Sequence, residues 1–165
     1  MKIGIISDTH DDTMMTCRAL EEFQNRGISF VVHAGDISTP DMIALFEGFT
    51  LKLALGNCDF DHSGILSACR IFGVEPASRA VEFELDGKKF FVIHSDDYGR
   101  YLEAANSGLY DYIITGHTHM YMVKHKHNTL VVNPGAVVRD RHADVEQTCA
   151  VLDVAHGEVE KIFLS

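Results

Sequence analysis

The sequence predicts an α/β protein, a four-layer α/β/β/α sandwich of two mixed β-sheets flanked by helices, in one domain over residues 1–165. Three observations predict it. Short apolar runs alternate with amphipathic stretches through the first half, as expected of parallel strands with helices packed outside them. The second half is instead dense in hairpin signals. Together these strands are too many for one comfortable sheet in so short a chain, so two sheets must pack face to face.

Each element has its own warrant. Lys2–Ile6 reads as a buried strand. Over Asp12–Arg26, Met15, Ala19, Leu20 and Phe23 recur at helical spacing, and Gly27 supplies the stop. Met14, Met15 and Phe23 read as core residues of this helix. Phe30–His33 is the second strand and leads into Ala34-Gly35-Asp36. Thr39-Pro40 opens a helix running to about Glu47, with proline at the first helical position. Leu51–Leu55 is the third strand and ends at Gly56-Asn57. Farther on, Ala80–Leu85 and Lys88–Ile93 flank Asp86-Gly87, a strong hairpin signal. A helix over about Arg100–Asn106 precedes the strand Tyr112–Thr115. Two more hairpins join Met120–Lys126 to Thr129–Val132, and Ala150–Val154 to Val159–Leu164 through His156-Gly157.

Composition bounds the function. Hydrophobic residues are 46% and charged residues 23%, ordinary for a soluble globule and incompatible with a disordered chain. The net charge of −10 repels nucleic-acid phosphates at long range, which disfavours nucleic acid as a partner. Two bound divalent ions would bring it to −6 and place all of that positive charge at one spot. The four cysteines (Cys17, Cys58, Cys69, Cys149) form no Cys-x-x-Cys pair, which fits a reducing compartment. The apolar start stops at Ser7-Asp8, too short for a signal peptide, and no run approaches the ~18 residues of a membrane helix. The expected setting is cytoplasmic, with no membrane partner.

The ends of the strands carry the chemistry. Asp8 and His10 follow the first, Asp36 the second, Asn57 the third; His94 follows Ile93, and His117 and His119 follow the strand at Tyr112. These seven side chains occupy carboxyl ends, where open parallel sheets leave a ligand crevice. Asp8/His10 and His117/His119 are i,i+2 pairs, which extended backbone points to one side. Gly35, Gly56 and Gly116 each precede a polar residue and let backbone approach closely. Four histidines, two aspartates and an asparagine exceed the needs of one ion and suit two that share a carboxylate. The donors are oxygen and imidazole without thiolate, a set for Mn²⁺, Fe, Ni²⁺, Co²⁺ or Zn²⁺ rather than copper(I) or an iron–sulfur cluster. Two such ions ~3.5–4 Å apart hold a hydroxide nucleophile and clamp both oxygens of a phosphoryl transfer. Singly, Asp8 could be a helix cap, Asp36 a turn residue and His94 a buried imidazole. Those readings do not explain all seven at one edge.

Asp8-Thr9-His10, Gly35-Asp36, Gly56-Asn57, His94 and Gly116-His117-Thr118-His119, in that order, resemble the calcineurin-like metallophosphoesterase superfamily. Gly-Asn-Cys-Asp at Gly56–Asp59, Asn133-Pro134-Gly135 and the small size resemble its YfcE/MJ0936-like branch of small bacterial and archaeal phosphodiesterases. The resemblance spans Lys2 to Ala136. It implies the metallo-dependent phosphatase fold and a phosphodiesterase or phosphatase for a small phosphate ester or diester. It also implies two divalent ions, with manganese the expected metal and nickel, iron, cobalt, zinc or magnesium as alternatives. One ion would be held by Asp8, His10, Asp36 and His119, the other by Asp36, Asn57, His94 and His117. Asp36, Asn57 and His94 would thereby be catalytic, with a bridging hydroxide attacking phosphorus.

The chain departs from the superfamily at three places. Cys58 stands where a histidine often protonates the leaving group; cysteine is a poor acid near pH 7, so low-pKa leaving groups should be favoured, unless Cys58 is only a small packed residue. His94 is followed by Ser95-Asp96 rather than Gly and a further histidine, and Asn133-Pro134-Gly135 ends in Ala136 rather than serine. Asn133-Pro134-Gly135 reads as a type II turn with Gly135 at positive φ. Asp59 reads as a group orienting Asn57 or a histidine, or as a turn residue. Arg139, Arg141 and His142 read as solvated loop charges that could also meet a substrate phosphate. Asp61 and His62 are left out of the site, and His33, His125, His127 and His156 fit strand or turn surfaces. A Vps29-like protein-binding scaffold on the same fold is the alternative function, and edge strands of the terminal hairpins could pair into a homodimer.

Overall fold

The computed structural model describes residues 1–139 and 145–164. Ten strands, numbered in chain order, form two five-stranded sheets. The first contains β1 (Lys2–Ile6), β2 (Phe30–His33), β3 (Thr50–Leu53), β9 (Thr148–Asp153) and β10 (Glu158–Phe163), ordered β10-β9-β1-β2-β3. The second contains β4 (Ala80–Leu85), β5 (Lys88–Ile93), β6 (Tyr112–Ile114), β7 (Tyr121–Lys126) and β8 (Thr129–Pro134), ordered β4-β5-β6-β8-β7. Each has a parallel centre, β1-β2-β3 in one and β5-β6-β8 in the other, and antiparallel strands beside it.

Period-2 alternation sorts the core into three apolar layers. Ile3, Ile5, Phe30 and Val32 face Phe90, Val92, Leu130 and Val132 between the sheets. Ile6, Val31 and Leu51 turn outward under α1 (Thr13–Asn25), the 3₁₀ segment Pro40–Phe46 and α2 (His62–Ile71). Phe91, Ile93 and Val131 turn outward under Tyr101, Ala104 and Ala105 of α3 (Tyr98–Ser107). The α/β/β/α sandwich is therefore as the sequence predicts. Gly4 faces the Phe23 ring, where a Cβ would come within 2.6 Å, so the helix packs close on the strand. The β4–β5 turn has Asp86 at φ 51° and Gly87 at φ 72°, the left-handed pair a two-residue hairpin requires.

Four local readings need correction. The helix α2 has no counterpart in the sequence reading: Gly64 in its first turn masks it, although Asp61 caps it by accepting from the Gly64 N–H at 2.9 Å. The Pro40 helix is 3₁₀ and seven residues long. Met14 is 74% exposed, one residue off the face that buries Met15, Ala19 and Phe23. Strand β3 is shifted toward the amino end of the range Leu51–Leu55, with Ala54 left in an isolated bridge to Ser78.

Candidate metal centre

The loops that follow β1, β2, β3, β5 and β6 meet at one edge of the sandwich, laced by main-chain hydrogen bonds. Asp8 N–H donates to Gly35 O and His10 N–H to Asp36 O, both at 3.0 Å. Gly116 N–H donates to His94 O at 3.2 Å, and Val138 N–H to Asp8 O at 3.1 Å. Gly56 and Gly116 make this crowding feasible. A Cβ on Gly56 would lie 2.1 Å from Asp36 Oδ1, and one on Gly116 would lie 2.0 Å from Ser7 Oγ.

Both central carboxylates are held by one oxygen and offer the other. Asp8 is fully buried; its Oδ2 accepts from Ser7 Oγ at 2.5 Å and from the His117 N–H at 3.1 Å. Its Oδ1 has no hydrogen-bond partner and faces three imidazole nitrogens: His119 Nε2 at 3.3 Å, His94 Nε2 at 3.8 Å and His10 Nε2 at 4.0 Å. Asp36 Oδ1 accepts from the Cys58 N–H at 2.8 Å, while Oδ2 lies 3.2 Å from His94 Nε2 and 3.6 Å from His10 Nε2.

His94 decides what belongs in the middle. Its Nδ1 donates to the Ala34 carbonyl at 2.8 Å, so in the neutral ring Nε2 carries a lone pair. That Nε2 is buried and unpartnered, and it faces the acceptor oxygens of two carboxylates. Acceptors converging on one point call for a cation. The proton balance says the same: burial pushes the His94 pKa down, but the adjacent carboxylates of Asp36 and Asp8 outweigh it and raise the pKa. Asp36 shows the converse, since burial pushes its pKa up while His94 and the Cys58 N–H hold it well below the carboxylate range. The donors form three overlapping groups, Asp8/His10/His119, Asp8/Asp36/His94 and His10/Asp36/Cys58, each with its atoms within 4.8 Å of one another. Hard oxygen with imidazole, around orphaned buried acceptors, fits a divalent metal centre.

The path by which the residues converge differs from the sequence reading. Asp8 (φ 54°), His10 (φ 41°), Asp36 (φ 58°), His117 (φ 70°) and His119 (φ 58°) are in the left-handed region, not extended. The i,i+2 rule for strands therefore does not bring the pairs together. Tight turns do, in conformations sparsely populated by non-glycine residues and maintained by the surrounding hydrogen bonds.

Asp8, His10, Asp36, His94 and His119 thus converge. Asn57 and His117 are exposed at the rim. Asn57 Nδ2 donates to Cys58 Sγ at 3.3 Å, and the His117 ring stands edge-on to His94 with centroids 5.1 Å apart. Burial and then the hydrogen bond to Asp36 push the Cys58 thiol up to about 11. Arg139 is exposed, and Arg141 and His142 lie outside the described residues.

Three supporting residues escaped or were misassigned in sequence reading. Asp59, 1% exposed, orients neither Asn57 nor a histidine: it accepts from the N–H groups of Asp36 (3.1 Å), Ser38 (2.6 Å) and Gly56 (2.6 Å), fixing the Asp36 loop to its own. His33 is fully buried rather than on a surface. Its Nδ1 accepts from the Gly35 N–H at 3.1 Å, so Nε2–H donates to Thr9 Oγ1 at 3.1 Å and ties the first loop to the second. Its place as last residue of an apolar strand was the available signal. Asn133, at the end of β8, donates from Nδ2 to Gly116 O at 2.8 Å and to Thr118 Oγ1 at 3.1 Å, holding the loop of His117 and His119. Gly135 has φ 81° as expected, with its N–H on Asn133 Oδ1 at 3.0 Å.

Residues 1–157 match the calcineurin-like phosphoesterase superfamily domain. Phosphodiesterase MJ0936 of Methanocaldococcus jannaschii is 33% identical, with 99% of each chain covered. The solved structure of an archaeal phosphodiesterase superposes with a TM-score of 0.87 at 30% identity, covering 99% of both chains. Two more distant structures share the fold. The phosphoesterase YfcE of E. coli has a TM-score of 0.72 at 18% identity with both chains fully covered. Vps29 of Entamoeba histolytica, complexed with zinc, has a TM-score of 0.68 at 14% identity, also with both fully covered. With the geometry of its strand-end loops, these likenesses establish that the chain belongs to the calcineurin-like phosphoesterase superfamily.

Proposed function

We propose that this protein is a dinuclear metal-dependent phosphodiesterase or phosphatase acting on a small phosphate ester. The observation that carries the reading is the buried, unpartnered pair Asp8 Oδ1 and His94 Nε2, acceptors turned toward each other beside Asp36. Asp8, His10, Asp36 and His119 would hold one ion, and Asp36, Asn57, His94 and His117 the other. When bound, the two ions supply Lewis-acid charge for phosphoryl oxygens and a water acidic enough to be the nucleophile at neutral pH.

The chain's own groups prepare that chemistry. Ser7 and the His117 N–H fix Asp8, the Cys58 N–H fixes Asp36, and Ala34 O fixes the tautomer of His94, so ligand atoms are aimed before anything binds. Cys58 lies on the Asp36 side, where a proton for the leaving group would be wanted, but a thiol near 11 is a weak acid. Esters with low-pKa leaving groups are the preferred substrates.

The protein-binding scaffold is the competing reading, and Vps29 shares the fold. A scaffold has no need of the full donor set, and all seven polar residues are present here. Among the described residues no helix is long and apolar enough to cross a membrane. A cytoplasmic setting, and a homodimer through edge strand β10, belong to the same proposal. Its test is hydrolysis of bis-p-nitrophenyl phosphate by metal-stripped protein, with Mn²⁺, Ni²⁺, Fe²⁺, Co²⁺, Zn²⁺ and Mg²⁺ restored in turn. Turnover should return with metal and vanish in Asp36→Asn. Two ions bound with no turnover by any metal would reject hydrolysis of simple aryl diesters and point to a narrow substrate requirement or to the scaffold.

A further inference from the structure

A cavity of about 340 Å³ opens beside His117, with Ser95 and Thr118 of the site loops also in its lining. That volume lies in the range of small-molecule sites. Tyr98, Tyr101 and Met122 supply its apolar wall, and Lys124 its cation. The charge of Asp96, also in the lining, is met by Arg79, so an anionic ester is not repelled there despite the net −10. A cavity of about 330 Å³ around Glu82, Phe83 and Tyr110 lies near the opposite end of β5 from His94 and has none of the metal-centre residues in its lining.

The Tyr98 ring is 62% exposed at the first turn of α3 and belongs to no apolar core cluster. It stands 5.7 Å from Tyr101, centroid to centroid, and extends that ring's surface toward solvent. Large exposed apolar side chains recur just past the site loops: Met14 after Asp8-Thr9-His10, Phe60 after Asn57, Tyr98 after His94, and Met120 after His119. Of these only Tyr98 lines the cavity beside His117, where an aromatic group seated against it would cover its exposed face.

Building on the phosphodiester reading above, we infer that the substrate is a diester with an aromatic arm, seated in this cavity against Tyr98, Tyr101 and Met122 while its phosphate lies at the metal centre. The arm's ring stacks on Tyr98, and the sequence-tolerant nature of ring stacking makes flat aromatic groups the class selected.

The test is calorimetric binding to the Mn²⁺-loaded protein of two poorly hydrolysed diesters, diphenyl phosphate and dimethyl phosphate. Diphenyl phosphate should bind at least about tenfold tighter. Tyr98→Ala and Met122→Ala should each erode that preference and leave the Kd of dimethyl phosphate unchanged. Tyr98 is exposed, so its replacement leaves the fold intact. Equal affinities in the wild type, or a preference that survives both substitutions, would overturn the inference. Turnover of bis-p-nitrophenyl phosphate, followed in parallel, reads the hydrolase separately: a ring preference without turnover rejects hydrolysis and upholds the aromatic subsite.

Discussion

The inner and outer halves of the metal centre are built differently. Inside, Asp8, Asp36 and His94 are buried, and each spends one polar atom on a neighbouring loop and presents the other. Outside, Asn57 and His117 are exposed, and the Asn57 amide bonds only the adjacent Cys58 sulfur among the described contacts. The inner half is preorganised at a cost in desolvation, which is recovered only when a cation arrives; the outer half is held by weaker contacts, an amide on a sulfur and an edge-on ring pair.

The largest effect should come from testing that division directly. Asp36→Asn keeps an acceptor for the Cys58 N–H but removes the charge two ions would share, so kcat should fall by about 10³-fold or more with the circular dichroism unchanged. His117→Ala, at the rim, should cost about 10- to 100-fold. If the rim substitution proves the costlier, the inner half is not the functional core.

Next comes the support of the inner half. Asp59→Ala would orphan three N–H groups on two loops, so stability should fall by about 3 kcal/mol. That is a Tm drop of roughly 10 °C for a domain of this size. A variant as stable as the wild type would mean that the loops hold without that carboxylate.

These two residues also mark how far sequence reasoning reached. Asp36 was legible because a carboxylate after an apolar strand, among other such strand ends, has few uses besides a site. Asp59 was legible as important but not as to its partners, since its bonds to Asp36 and Ser38 cross 23 and 21 residues of chain. The hairpin at Asp86-Gly87 was legible for a local reason, a turn that needs two left-handed residues. Helix α2 was not, because its buried face is only Ile65, Ala68 and Cys69 and its first turn contains glycine. The turns at Asp8-Thr9-His10 and Gly116-His117-Thr118-His119 were the subtler miss. Their left-handed residues are imposed by hydrogen bonds from other loops, which no local propensity encodes.

A smaller effect separates neutral from charged groups behind the centre. Burial holds the His33 pKa down at about 3, against about 6.5 when unfolded. The charges of Asp8 and Asp36 raise it, and those of His94 and His10 lower it further, but burial dominates. Between those pH values the unfolded chain binds the extra proton. The stability His33 confers is thus full above about pH 6.5 and is lost as pH falls toward 3, by up to about 1.4 kcal/mol per unit. His33→Gln should flatten the denaturant-measured stability profile between pH 6 and pH 4, whatever it costs at neutral pH. An unchanged slope would assign the acid sensitivity to other groups.

The smallest effect is expected at Cys58, on the boundary between the halves. Its N–H serves the inner carboxylate, while its sulfur accepts from the exposed Asn57 amide at the rim. With its thiol pushed up to about 11, the side chain stays protonated at neutral pH yet donates poorly. Cys58→Ala should therefore change kcat on nitrophenyl diesters by less than about threefold, because nitrophenolate departs without a proton. Cys58→His places a group near its own pKa at the same point and should accelerate alkyl diesters more than nitrophenyl ones. Equal effects on both substrates would show that position 58 does not face the leaving group, and the acid would then have to come from the His117 side of the rim.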